Sequence, residues 1–186
     1  YLLSEKLINS IEYGVPQDRD RIILIGFKKE YLADNSYKVN GTPFLWDFDW
    51  DFGVKYDKKK IFKLPWQKTE KFIENSQRDK PIEIPEELTI QYWFTKNDVD
   101  HHKNQSKHFV PKAGLVKFLS IDEGDDSKKS YKRLHRWRYS PTAAYGNNEV
   151  HLHPFKARRI SVAEALAIQS LPKDFVIPEE ITRTNS

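Results

Sequence analysis

Residues 21–27, RIILIGF, form an apolar run rich in branched side chains and bounded by charge on both sides. Unbroken apolarity suits a strand covered on both faces better than an alternating, half-exposed one. The run therefore predicts one strand of an α/β sheet. Just upstream, Leu2, Leu3, Leu7 and Ile11 recur at helical spacing, and Gly14, Val15 and Pro16 must end any helix there. Helix, tight loop, buried strand is the expected local order.

Beyond residue 30 this regularity fades. Residues 30–150 scatter prolines, lysines and tryptophans without a repeat, which predicts a separate, loop-rich module. Within it, residues 90–94 read as a short strand. Trp46, Phe48, Trp50 and Phe52 alternate with Asp47, Asp49 and Asp51, a period of two that would put aromatics on one face of a strand and carboxylates on the other. Residues 122–130 have the composition of an exposed loop, and the polar tail after Pro178 is expected to fray. The clearest helix spans residues 161–169, because Ser161 can cap its first turn while Glu164 reaches back in a capping box, and Pro172 closes it.

The loop before the apolar run reads YGVPQDRDR over residues 13–21, so Gln17, Arg19 and Arg21 stand at a loop-to-strand junction. Two neighbouring guanidiniums suit a phosphate or a base carbonyl. They could equally pair with Asp18, Asp20 or another carboxylate. A second block, HPFKARRISVAEALAIQSLPKDF, occupies residues 153–175. Together the two blocks resemble the eighth and ninth shared motifs of the DNA cytosine-5 methyltransferases, in the right order and with a gap of suitable size. The segments Arg133-Leu134-His135-Arg136-Trp137 and Ser140-Pro141-Thr142-Ala143-Ala144 are similar to the stretch that often leads into the ninth motif.

The resemblance implies an α+β fold: a loop-rich target-recognition domain (residues 30–150) attached to a fragment, strand plus helix, of a Rossmann-like α/β methyltransferase sheet. Residues 1–29 would close the catalytic domain, and residues 151–186 would form the ninth-motif helix and tail. It also implies that Gln17, Arg19 and Arg21 lie against the flipped cytosine and its flanking phosphates, Arg21 foremost. Arg159 and Glu164 would act structurally, holding the recognition domain on the catalytic sheet. The family commonly has arginine just before that glutamate; this chain has Ala163.

Family chemistry adds a cysteine thiolate to carbon 6 of an extruded cytosine and then takes a methyl group from S-adenosylmethionine. This chain of 186 residues contains no cysteine, so it supplies no thiol nucleophile. It also lacks the glycine-rich cofactor motif, so S-adenosylmethionine is expected to bind the full-length parent and not this fragment. The expected partners are double-stranded DNA and the missing catalytic half of the same protein, with self-association of the fragment where apolar surface is left open. No membrane partner is expected, and the expected location is the bacterial cytoplasm, at the nucleoid. A module that binds DNA or regulates without methylating is the alternative.

A formal net charge of +4 points only mildly to an anionic partner, so local clustering must carry that argument. Residues 128–138, KKSYKRLHRWR, interleave Lys128, Lys129, Lys132, Arg133, Arg136 and Arg138 with Tyr131 and Trp137. This is a candidate DNA-binding cluster, with a solvated charged face as the bland alternative. The histidines at 101, 102, 108, 151 and 153 have no suitably spaced cysteine or carboxylate to complete a zinc site. The aspartate ladder could hold a divalent ion for nuclease chemistry, but a solvated strand face explains it as well, and no metal is expected.

Overall fold

The computed structural model describes residues 1–28, 30–31, 48–108, 110, 115–128, 130–142 and 150–178. The fold is a small mixed α/β arrangement with short sheets. Strand β1 (Leu2–Asn9) pairs antiparallel with β2 (Asp20–Phe27), Leu2 opposite Phe27 and Asn9 opposite Asp20. Four short helices have their bounds among the described residues: α1 (Lys58–Ile61), α2 (Ile90–Lys96), α3 (Leu115–Leu119) and, near the end, α4 (Val162–Ile168). Between α3 and α4, the two-residue strands β3 (Lys132–Arg133) and β4 (His151–Leu152) form a parallel pair.

The helix expected over residues 2–11 is a strand. Its leucine spacing also fits alternation: Leu2 and Ser4 turn inward, while Leu3 and Leu7 share the opposite face. A short 3-10 turn (Ser10–Tyr13) decides between the two. Asn9 and Glu12 form a reciprocal capping box at its start, and Gly14 ends it at a φ of 83°, where a Cβ would be strained. The chain is thus folded straight back along itself. Strand β2 is likewise not covered on both faces: Ile22 is 72% exposed and Leu24 59%. Its alternate residues face outward beside Leu7, because the hairpin is a two-stranded ribbon with no third layer over that side among the described residues.

Residues 90–94 are helical, not extended. Thr89 caps the turn by accepting from the Tyr92 amide, and Ile90 and Phe94, four apart, enter the core together. The aromatic–aspartate alternation makes no strand among its described members. Asp49 accepts from the Asp51 amide in a turn, Trp50 donates to Ser4 Oγ at 2.8 Å, and Phe52 lies exposed; Trp46 and Asp47 fall outside the described residues. The helix capped by Ser161 forms as the sequence predicts, with both halves of its capping box made.

The main core joins α2 to α4 through Ile90, Phe94, Val99, Leu134, Ile160, Ala163, Ala167 and Ile168. A second cluster, Phe118, Ile121, Val150 and Leu152, seats α3 on the β3–β4 pair. Arg133 locks these pieces together. Its fully buried guanidinium donates to the carbonyls of Ile121 (2.7 Å), Lys156 (3.1 Å), His153 and Phe118, and stacks 3.7 Å from the Phe72 ring. Burial pulls its pKa down to about 10, so it stays charged at neutral pH. Replacing Arg133 by methionine keeps the volume but takes the guanidinium donor from the buried Phe118, Ile121 and His153 carbonyls, and should cost about 3–5 kcal/mol. Urea unfolding should show this loss, and Arg133→Lys should recover little of it, because one ammonium cannot span the same directions.

Candidate nucleic-acid interface

The capped turn after β1 sets up the loop that carries Gln17, Arg19 and Arg21. Ser10 Oγ donates to the Gln17 carbonyl at 2.6 Å, and the Ser10 amide donates to the Arg19 carbonyl at 3.0 Å. From the other side, Ser140 accepts from the Asp18 amide (2.9 Å) and donates to the Pro16 carbonyl (2.8 Å), while Thr142 Oγ1 donates to the Asp18 carbonyl. Two motif segments more than a hundred residues apart in sequence are thereby clasped, with a parallel bridge between Gln17 and Ser140. Ala143 and Ala144 lie outside the described residues.

The neighbouring aspartates are engaged elsewhere. The Asp18 and Asp20 carboxylates accept from Asn9 Nδ2 at 2.7 and 2.8 Å, and Asp20 also binds Lys58 Nζ at 2.6 Å. Lys58 first and Asn9 second hold the Asp20 carboxyl below its usual range. Arg19 and Arg21 are therefore left without a carboxylate among the described residues. Arg21 is exposed and donates to the adjacent Asp20 carbonyl. Gln17 is buried, with its Nε2 unpartnered.

The basic cluster at residues 128–138 divides in two. Arg133 lies in the core, as described. Arg136 is buried on Glu123, with Nε 2.8 Å from Oε1 and Nη2 2.9 Å from Oε2, and its Nη1 donates to the Ser76 carbonyl at 2.6 Å. These two sequence-predicted DNA contacts have their donors turned into the protein, where no phosphate reaches them. Arg138 is half-buried, donating to the Gly124 carbonyl and 3.8 Å from Asp126. Lys128 is exposed and Lys132 half-exposed, and Lys129 lies outside the described residues.

Glu123 is a residue that sequence reading misses. It sits in a stretch with the composition of an exposed loop, yet is 1% exposed, clamped by Arg136 and by Arg78 Nε at 2.9 Å. A paired backbone bridge to Glu70 fixes its position. Burial pushes its carboxyl upward, but the bonds from Arg136 outweigh this and hold it below the usual range. Nothing in EGDD distinguishes this glutamate from its neighbours.

In the ninth-motif block, Glu164 takes a bidentate pair from Arg158 (2.8 and 2.6 Å), not from Arg159. Arg159 instead bridges to Leu152 through its backbone. His153 accepts the Phe155 and Lys156 amides at Nδ1, so Nε2 carries the proton and faces Glu164 at 3.4 Å. Ala163, where the family pattern has arginine, is packed in the core.

Two of the described glycines have local structural roles. Gly14 caps a turn, and a Cβ there would meet the Lys55 side chain at 3.2 Å; Gly26 lies mid-strand under Leu3. Among the described residues, no group of three histidine, aspartate or glutamate side chains could hold a metal, and no helix is long and apolar enough to cross a membrane.

The family described as C-5 cytosine-specific DNA methylase matches residues 1–186. The chain is also 56% identical over 185 residues to the Type II methyltransferase M.NmeDI of Neisseria meningitidis serogroup C, covering 100% of this chain and 41% of that relative. No solved structure matches.

Three buried histidines give the interior a pH dependence. Burial lowers His135 and His151 to about 4 and His153 well below its ordinary value, so all three are neutral in the fold. Unfolded, they titrate near 6.5, and the unfolded state binds more protons between the two values. Stability should therefore be full above about pH 6.5 and fall steadily toward pH 4. Urea midpoints measured across that window should decline with acidity, and His135→Gln with His151→Gln should flatten the decline.

Proposed function

Because this chain belongs to the C-5 cytosine-specific DNA methylase family, we propose that it is the carboxy-terminal, DNA-reading portion of a DNA cytosine-5 methyltransferase of a restriction–modification system. One observation carries the reading: the loop with Arg19 and Arg21 is clasped by Ser140 and Thr142, while neither guanidinium pairs with a carboxylate among the described residues. A preformed, uncompensated fork is what a flipped base and its phosphates require. Residues 30–150 serve as the target-recognition domain, and residues 1–29 and 151–186 as its attachment to the catalytic part.

The full-length protein supplies the cysteine, the S-adenosylmethionine site and the rest of the sheet. The hairpin face with Leu3, Leu7, Ile22 and Leu24 fits that sheet, being apolar and uncovered. Left alone, the chain self-associates through it and methylates nothing. DNA contact falls to Arg19 and Arg21, with Lys128, Lys129, Lys132 and Arg138 on the backbone; Arg133, Arg136, Arg158 and Glu164 hold the fold. A stand-alone DNA-binding or regulatory module is the second reading.

If three or four phosphates are met, affinity for duplex DNA should drop roughly a hundredfold between 50 and 200 mM salt. In the full-length protein, Arg21→Ala should slow methyl transfer on the order of a hundredfold with folding unchanged. Methyl transfer at the wild-type rate in that variant would remove Arg21 from the site. Salt-dependent binding by a full-length protein that never methylates would favour the second reading.

A further inference from the structure

Sequence alone points to residues 128–138 as the densest basic surface, yet two of its arginines are buried and a third is half-buried against Asp126 and Gly124. The exposed positive charge lies elsewhere. Residues 55–63 carry five lysines against one aspartate, a local excess equal to that of the whole chain. They form α1 and its flanks. Asp57 caps the helix by accepting from the Lys60 amide, and Ile61 is buried with Ile11 and Leu88. The lysines are thus held outward on a helix that is anchored from beneath.

Their position matters more than their number. The Lys55 and Tyr56 amides both donate to the Glu12 carbonyl, at 2.8 and 3.1 Å, which ties this segment to the turn before Gln17. Lys58 Nζ reaches Asp20, whose carbonyl in turn accepts from Arg21 at 2.6 Å. Lys55 is paired with Glu87 and Lys58 with Asp20, whereas Lys59, Lys60 and Lys63 are exposed and make no ion pair among the described residues. The helix dipole favours cations at a C-terminal end by a few tenths of a kcal/mol and disfavours them at an N-terminal end, and in a single turn these lysines occupy both, so the dipole gives no reason for adjacent unpaired lysines. A polyanion does explain them.

We propose that α1 is a phosphate clamp: Lys59 and Lys60 bind the DNA backbone next to the nucleotide contacted by Arg19 and Arg21. This rests on the reading of the chain as a DNA-recognition module, and it deepens it by assigning a backbone contact outside both motif blocks. Phosphate contacts set register and orientation without reading sequence. Removing these two should weaken binding equally for every duplex.

The test is duplex binding by the full-length protein from 50 to 300 mM salt, comparing wild type with Lys59→Gln/Lys60→Gln and Lys59→Arg/Lys60→Arg. Each lost phosphate contact should reduce the slope of log affinity against log salt by about 0.9. The glutamine pair should therefore flatten the slope by nearly two and weaken binding on the order of tenfold at 150 mM salt. Specific and mixed-sequence duplexes should suffer alike, and the arginine pair should restore the wild-type line. A salt-dependent wild type with the glutamine pair on a parallel line overturns the clamp and leaves the function standing. A wild type that fails to bind DNA at any salt overturns both.

Discussion

A single guanidinium, that of Arg133, is the constraint on which the described structure most depends. Four carbonyls from segments 118–121 and 153–156 converge on it; that of Lys156 also accepts from the Arg158 amide, but those of Phe118, Ile121 and His153 depend on the guanidinium. Helices this short, four to seven residues, cannot stand by propensity. The fold is instead held by buried polar knots: Arg133 on carbonyls, Arg136 and Arg78 on Glu123, and Arg158 with His153 on Glu164. Apolar clusters fill the space between them. Such knots are costly to break singly, because each removal leaves a buried partner exposed to no water.

The same economy of charge shapes the side proposed to face DNA. Arginines placed near carbonyls and buried carboxylates are withdrawn from the surface, and those in the Gln17–Arg21 loop are left free because Asn9 and Lys58 occupy the neighbouring aspartates. Sequence density of basic residues therefore misleads about where a phosphate can be met. The short loop held by Ser140 offers two open guanidiniums, while the richer cluster at 128–138 offers chiefly its lysines.

What the sequence made legible follows physical lines. The α4 helix was readable because its capping box and its terminating proline are local signals, and both act locally in the structure. The motif loop was readable as a junction, since Gly14 and Pro16 leave the chain little choice. The strand at residues 2–9 was not, because leucines at 2, 3 and 7 fit either period, and only pairing with residues 20–27, invisible to local spacing, selects extension. Residues 90–94 failed for the converse reason: aromatic and branched residues favour strands, but the Thr89 cap and burial of Ile90 with Phe94 override propensity. Glu123 had no signal, because its burial comes from Arg78 and Arg136, 45 and 13 positions away.

The central claim is that DNA meets this chain at the Gln17–Arg21 loop. Photo-cross-linking of the full-length protein to a duplex carrying its target cytosine, with the joined peptides mapped by mass spectrometry, tests it most directly. The account predicts cross-links within residues 13–21 and none at Arg133 or Arg136. Cross-links confined to other parts of the protein, with residues 13–21 untouched at saturating DNA, would contradict it.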